Sequence, residues 1–236
     1  MIKAYIQILR PLNMLITLAC IILTSLTFGK FSYQLLPIII VILCLTAFAN
    51  IINDVFDYKV DKLNRPDRPL PSGKINQKSA IILCMLLLVI SICTIFFYDF
   101  NFNTKVSIIC INIPLLILYT PFFKKVPLLG NIIVSFILGM VFIVTAFYLE
   151  GDLKLIITPV ILAFILMLIR EIVKDIADIE GDSLMNVMTF PVLYGINKSI
   201  HIILGLVFLL ILVTFYFISL YNITYLISVI LLLIPY

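Results

Sequence analysis

Asn53, Asp57 and Asp61 stand four residues apart, and Glu171, Asp175, Asp178 and Asp182 follow one another at steps of four, three and four. On an α-helix such steps bring side chains to one face, each a turn above the last. Each set is therefore a row of oxygen donors, and Asn50 lies nearly on the first row, one turn back. Hard oxygen ligands in a row suit a divalent cation that also binds phosphate, the usual way Mg²⁺ is held. Two carboxylate rows at one level would form a two-sided cage, and their repulsion in a partly dehydrated cleft demands a metal or clustered basic groups. Basic groups are at hand. Pro66, Pro69 and Pro71 forbid helix after the first row, so the chain turns and carries Arg65, Arg68 and Lys74 back toward the acids. Arg170 and Lys174 sit within the second row.

The rest of the chain is what must hold these rows in place. Apolar residues make up 64% of the 236 and charged ones only 12%, too greasy a balance for a water-soluble domain. A membrane span needs roughly 20 mostly apolar residues to cross a hydrocarbon layer about 30 Å thick. Eight such stretches are legible: Leu12 to Gly29, Leu35 to Ile52, Ala80 to Tyr98, Val106 to Phe123, Leu129 to Leu149, Leu155 to Ile172, Ile200 to Leu220 and Ile223 to Tyr236. The last, at 14 residues, reaches about 21 Å and is short for a crossing, so either it ends early or the chain runs on. The runs are continuous, without the alternation of a lipid-facing strand, so the expected fold is all-α, a polytopic helical bundle.

Both acidic rows fall in the two long loops, 53–79 and 170–199, which hold nine of the twelve acidic residues. The N-terminus and the even-numbered loops carry 13 of the 16 Lys and Arg residues, the other side only Lys30, Lys105 and Lys154. By the positive-inside rule the N-terminus and both rows are expected in the cytoplasm. The net charge of +4 thus serves topology, which argues against nucleic acid as a partner. Cys20, Cys44, Cys84, Cys93 and Cys110 all lie inside apolar runs without ligand spacing and read as small buried hydrophobes. No small-residue cleavage site follows the N-terminus, so the first apolar stretch reads as a first helix rather than a signal peptide.

At this point the residues resemble a known family. Asn53, Asp57 and Asp61 followed by Arg65-Pro66-Asp67-Arg68-Pro69-Leu70-Pro71-Ser72-Gly73 look like the first motif of UbiA-type intramembrane prenyltransferases. Lys174-Asp175, Asp178 and Gly181-Asp182, with Thr189 and Pro191 after them, resemble the second, and Arg10-Pro11 with Asn13 resembles the family's opening. Within the superfamily the wording is most similar to geranylgeranylglyceryl phosphate geranylgeranyltransferases of ether-lipid synthesis. Two departures stand out: the family has nine spans, and Asn186 stands where many members have Gly.

The resemblance implies one transmembrane domain over residues 1–236, its central cavity opening at the cytoplasmic face of the cell membrane. It implies Mg²⁺ held by Asn53, Asp57, Asp61, Asp175, Asp178 and Asp182, and Arg68, Lys74 and Lys174 on the diphosphate, with Asn50, Arg65, Lys124 and Arg170 as further substrate contacts and Lys125 as a helper. Arg10 and Asn13 are candidates for the acceptor's phosphate. Asp57, Asp61, Asp178 and Asp182 carry the chemistry, and Tyr119 is the aromatic group for an allylic cation, or else an interfacial belt residue. His201 reads as a packed or interfacial side chain. Two alternatives stand beside this reading. One is prenylation of an aromatic acceptor of quinone or chlorophyll type. The other, from another class, is an ion-coupled transporter, which would place its acids near the bilayer midplane rather than at one surface.

Overall fold

The structure, a computed structural model, describes residues 2–184 and 187–221, all of it helices and their connections. Continuous Leu/Ile/Val/Phe runs form helices because only intrahelical bonds satisfy the backbone where no water is available. The chain begins with α1 (Ile2–Ile8) and α2 (Pro11–Thr27), bent by 54° to one another. The bend falls at Arg10, which adopts a left-handed backbone (φ 54) before the helix-starting Pro11. Next come α3 (Leu36–Phe56), the short α4 (Tyr58–Asn64) and α5 (Gln77–Phe97), the last opened by the Asn76 side chain accepting from the Ser79 N–H at 2.7 Å.

A third long element starts with α6 (Phe102–Val106), passes through a π-helical stretch at Ser107–Asn112, and ends as α7 (Ile113–Tyr119). Its widened turns, closed by Ile113 N–H to the Ile108 carbonyl, precede Pro114, whose ring clashes with the preceding turn and offers no N–H to it. Then follow α8 (Leu129–Tyr148), α9 (Ile157–Ala177), α10 (Ile179–Leu184), α11 (Phe190–Tyr194) and α12 (Ile196–Tyr221).

Six of these elements are long and apolar enough to cross a membrane, and the bent α1–α2 pair makes a seventh. The first crossing is thus a bent pair where a single helix was expected. The eighth stretch, Ile223 to Tyr236, and Asn186 lie outside the described residues.

α3 packs along α5, α8 along α9, α2 against both α3 and α8, and α12 against α9. Across the α3–α5 seam the Cys84 thiol reaches the Phe48 carbonyl at 3.6 Å and the Ser91 hydroxyl the Val41 carbonyl at 3.5 Å. Outward faces carry Leu23, Ile82, Phe96 and Phe208, exposed apolar side chains suited to lipid. Cys20 and Cys84 are buried as expected, whereas Cys93 and Cys110 are exposed. A cavity of about 270 Å³ lies between α2, α3, α7, α8 and α9.

Candidate active site

Both acidic rows survive folding, but each is broken at an aspartate. α3 stops one residue before Asp57 and α4 starts one after it; α9 stops before Asp178 and α10 starts after it. The two aspartates share an off-helix backbone (φ −81, ψ 2 and φ −95, ψ 5). Helical hydrogen bonds nonetheless pass through both breaks. Asp57 N–H donates to the Asn53 carbonyl and Asp61 N–H to that of Asp57, each at 2.8 Å; Asp178 to Lys174 and Asp182 to Asp178 are each 3.0 Å. The expected four-residue stacking is therefore kept, with a matched kink in each half. The two kinked segments also meet, since α4 and α10 pack on one another.

Gly181 makes that packing possible. A Cβ there would fall 1.9 Å from Oδ1 of Asn64, far inside any contact distance. Asn64 Nδ2 in turn donates to the Asp178 carbonyl at 3.3 Å, and Arg65 Nη2 lies 3.0 Å from both carboxylate oxygens of Asp178. The proline-rich turn works as expected for Arg65 and Arg68, anchored by buried Leu70 and Ile75. Lys74 it leaves exposed, away from the cavity, and Lys125 is exposed too.

Around the cavity mouth the acids of the two rows, Asp182 excepted, have each found a base or an amide. Asp54, 2% exposed, pairs with Arg10 and lies 3.4 Å from Nη1 of Arg68, which also reaches Oδ2 of Asp61 at 2.7 Å. Lys124 pairs with Asp57, and Arg170 and Lys174 both pair with Glu171. Asn131 donates to Asp175 at 2.7 Å, Thr120 to Asn53, and Asn13 to Asn50 at 3.1 Å, while Asn50 donates to the Leu9 carbonyl at 2.9 Å. Glu171 is thus a counter-ion within the second row rather than a free donor. His201 sits on α12, bonded to the Asn197 carbonyl at 2.6 Å.

Among the described residues no three acidic, His or Cys side chains converge on one point, because paired acids turn toward their own bases. The donors nevertheless fit a hard divalent cation. All are oxygens, and Asp182, 5% exposed, has no hydrogen bond or ion pair to a described side chain. Burial, reinforced by Asp175, Asp178 and Asp57, pushes its carboxyl up to about 6 against the pull of Lys124. Burial likewise raises the Asp61 carboxyl, opposed by Arg68 and supported by Asp54 and Asp57. Buried carboxylates that repel one another are relieved by a metal ion.

Below the mouth the walls turn apolar, with Ile42, Leu45, Ile108, Leu116, Val134 and Val141 among the lining side chains. Tyr119, 8% exposed, lines the same space. An ionic rim over a greasy chamber can house a molecule with an anionic head and a hydrocarbon tail.

Three site residues were not foreseen. Asp54 sits off the four-step row; its signal was adjacency to Asn53 at the end of an apolar run. Thr120 and Asn131 are polar residues at span ends, and only the fold brings them to Asn53 and Asp175.

The model of the UbiA prenyltransferase family matches residues 13–236. Digeranylgeranylglyceryl phosphate synthase of Methanosphaera stadtmanae is 33% identical over 228 residues, covering 96% of this chain and 82% of that one. The enzyme of the same name from Methanothermobacter thermautotrophicus is 33% identical over 196 residues, 83% of this chain and 68% of that one. A solved structure concerned with digeranylgeranylglyceryl phosphate synthase in membranes superposes with a TM-score of 0.67 at 31% identity, covering 96% of this chain and 81% of that one. A UbiA homolog from Archaeoglobus fulgidus bound to DMAPP and Mg²⁺ gives a TM-score of 0.75 at 22% identity over 95% of this chain and 81% of that one, a likeness of fold.

Proposed function

Given that this chain belongs to the UbiA prenyltransferase family, we propose that it transfers a geranylgeranyl group from its diphosphate to the hydroxyl of geranylgeranylglyceryl phosphate, with Mg²⁺. The observation that carries this reading is the cavity: its rim takes Asn53 and Glu171 from the two rows together with Arg10, Arg65, Arg68, Arg170 and Lys174, above an apolar chamber. The relatives named for this reaction support the acceptor.

The diphosphate head lies at the rim and the isoprenoid tail in the chamber. Arg10, Arg68, Lys124 and Lys174 now neutralise acids, and each gains a stronger partner when a diphosphate arrives. Asp57 and Asp61, so released, would hold Mg²⁺ together with Asp175, Asp178, Asp182 and Asn53. Bound there, the metal offsets charge on the diphosphate and improves it as a leaving group. The allylic C–O bond breaks with its electron pair leaving on the diphosphate. The acceptor hydroxyl then forms the new C–O bond and gives its proton to a site carboxylate or water. The Tyr119 ring presents a negative face to the allylic cation, and the apolar walls keep water from it. Arg170 and Asn13 reach the acceptor's phosphate.

The N-terminus and the rim are assigned to the cytoplasmic side, on the placement of 13 of 16 Lys and Arg residues. A bent first crossing followed by six more returns the rim ends of α3, α7 and α9 to that side.

The test is transfer of radiolabelled geranylgeranyl diphosphate by the purified protein, with Mg²⁺ or EDTA, to geranylgeranylglyceryl phosphate and to 4-hydroxybenzoate in parallel. Mg²⁺-dependent labelling of the glyceryl phosphate is expected. Labelling of the aromatic alone would keep the family and overturn the acceptor.

A further inference from the structure

Arg10 carries a left-handed backbone (φ 54, ψ 77) immediately before Pro11. A residue with a Cβ adopts that region rarely and at a cost, and a residue before proline is drawn to extended backbone instead. Strain of this kind persists only where surrounding contacts over-determine it, and it gathers at functional sites. Among the described residues Leu128 and Glu150 are the other non-glycines with positive φ. Neither lines the cavity between the helices, whereas Arg10 does.

The contacts that hold the bend come from Asn50. Leu9 and Arg10 belong to neither α1 nor α2, and Pro11 has no N–H with which to continue the first helix into the second. Arg10 N–H donates to the Gln7 carbonyl at 3.0 Å, and the Arg10 carbonyl accepts from Met14 N–H at 3.2 Å. The Leu9 carbonyl is taken by a side chain, Nδ2 of Asn50, at 2.9 Å. The oxygen of the same carboxamide accepts from Asn13, in the first turn of α2, at 3.1 Å. One amide on α3, 6% exposed, therefore grips the chain on both sides of Arg10. The kink of the second row has a clasp of the same kind, Asn64 donating to the Asp178 carbonyl at 3.3 Å.

What the clasp fixes is the direction of a guanidinium. Asp54 stands one turn beyond Asn50 on α3 and pairs with Arg10, so a single helix holds both the backbone beside Arg10 and the end of its side chain. Relaxing φ to the usual helical value would turn the Cα–Cβ bond by roughly 120° about the chain and carry the guanidinium off the rim. We propose that Asn50 is a positioning residue for prenyl transfer: by clasping the Leu9 carbonyl it holds the left-handed turn and so aims Arg10 at the diphosphate. Its nitrogen is committed to Leu9 and its oxygen to Asn13, and it acts through Arg10 rather than on the substrate. The proposal rests on the assignment of Arg10 to the diphosphate made above.

The experiment measures inhibition by inorganic diphosphate, and KM for both substrates, in the purified protein, Asn50→Leu, Arg10→Ala and the double variant. Leucine is close to asparagine in shape and removes the clasp without adding charge. Asn50→Leu should raise Ki for inorganic diphosphate and KM for geranylgeranyl diphosphate about tenfold, the worth of one charge-assisted hydrogen bond, with KM for the acceptor unmoved. A merely structural loss would lower kcat by reducing the folded fraction and leave Ki where it was. In the Arg10→Ala background the same substitution should change Ki by less than about twofold, since nothing is left to aim. If the leucine variant does not fold, Asn50→Ala is read in the same way, with the same shifts expected. An unchanged Ki in the Asn50 variant, or a tenfold rise that persists without Arg10, overturns the positioning role and leaves the proposed reaction standing. Absence of any prenyl transfer by the unsubstituted protein overturns both.

Discussion

Arg65 holds Asp178 with one guanidinium nitrogen 3.0 Å from each carboxylate oxygen, across 113 residues of sequence. It ties the turn after the first acidic row to the kink of the second, so the two halves of the rim are positioned as one. Arg65→Ala should lower kcat/KM by about 10- to 100-fold, the worth of a charge-assisted hydrogen bond. Arg65→Lys should recover part, because a single charged nitrogen makes the contact but the lysine stem carries its ammonium on a different, more flexible reach. Steady-state kinetics on both variants checks this, and an Arg65→Ala protein of full efficiency would remove the tie from the mechanism.

Gly181 should be nearly irreplaceable while Asn64 stands beneath it. Gly181→Ala pushes a methyl into the Asn64 carboxamide and should cost about 1–3 kcal/mol, as overpacking does, seen as a lower Tm in detergent. Because the clash is with the end of a side chain, Asn64→Ala in the same protein should restore much of the loss. Simple additivity of the two changes would show that the contact is not the cause.

Asp57→Ala and Asp178→Ala should each abolish transfer while leaving expression and membrane insertion intact, since both residues lie at kinks on the rim rather than in a packed seam. EDTA should abolish transfer by the unsubstituted protein, and added Mg²⁺ should restore it. Near-normal turnover in both variants would refute the site.

Asp54 should matter as much as the foreseen acids. Asp54→Ala leaves Arg10 without its partner and frees one side of Arg68. Removing one member of a buried ion pair costs about 3–5 kcal/mol. A lower Tm together with at least 100-fold lower kcat/KM is expected; Asp54→Asn, which keeps a hydrogen-bonding oxygen, should regain stability more than activity.

By itself the sequence determined the membrane class, the helical fold and both acidic rows. Those depend on local regularities: apolar runs of span length, and side chains every three or four residues along one helix, which physics places on one face whatever surrounds them. The family was legible for the same reason, since its motifs are contiguous. Tertiary structure alone decided which acid meets which base. Asp54 with Arg10, Arg65 with Asp178, Lys124 with Asp57 and Asn131 with Asp175 are partners separated by 44 to 113 residues. No periodicity along the chain encodes such a distance. It also left Lys74 away from the rim, because the turn that returns Arg65 and Arg68 buries Leu70 and Ile75 and leaves Lys74, next to Ile75, facing water. The kinks at Asp57 and Asp178, and the meeting of Thr17 with Thr46, likewise come from helices packed against one another.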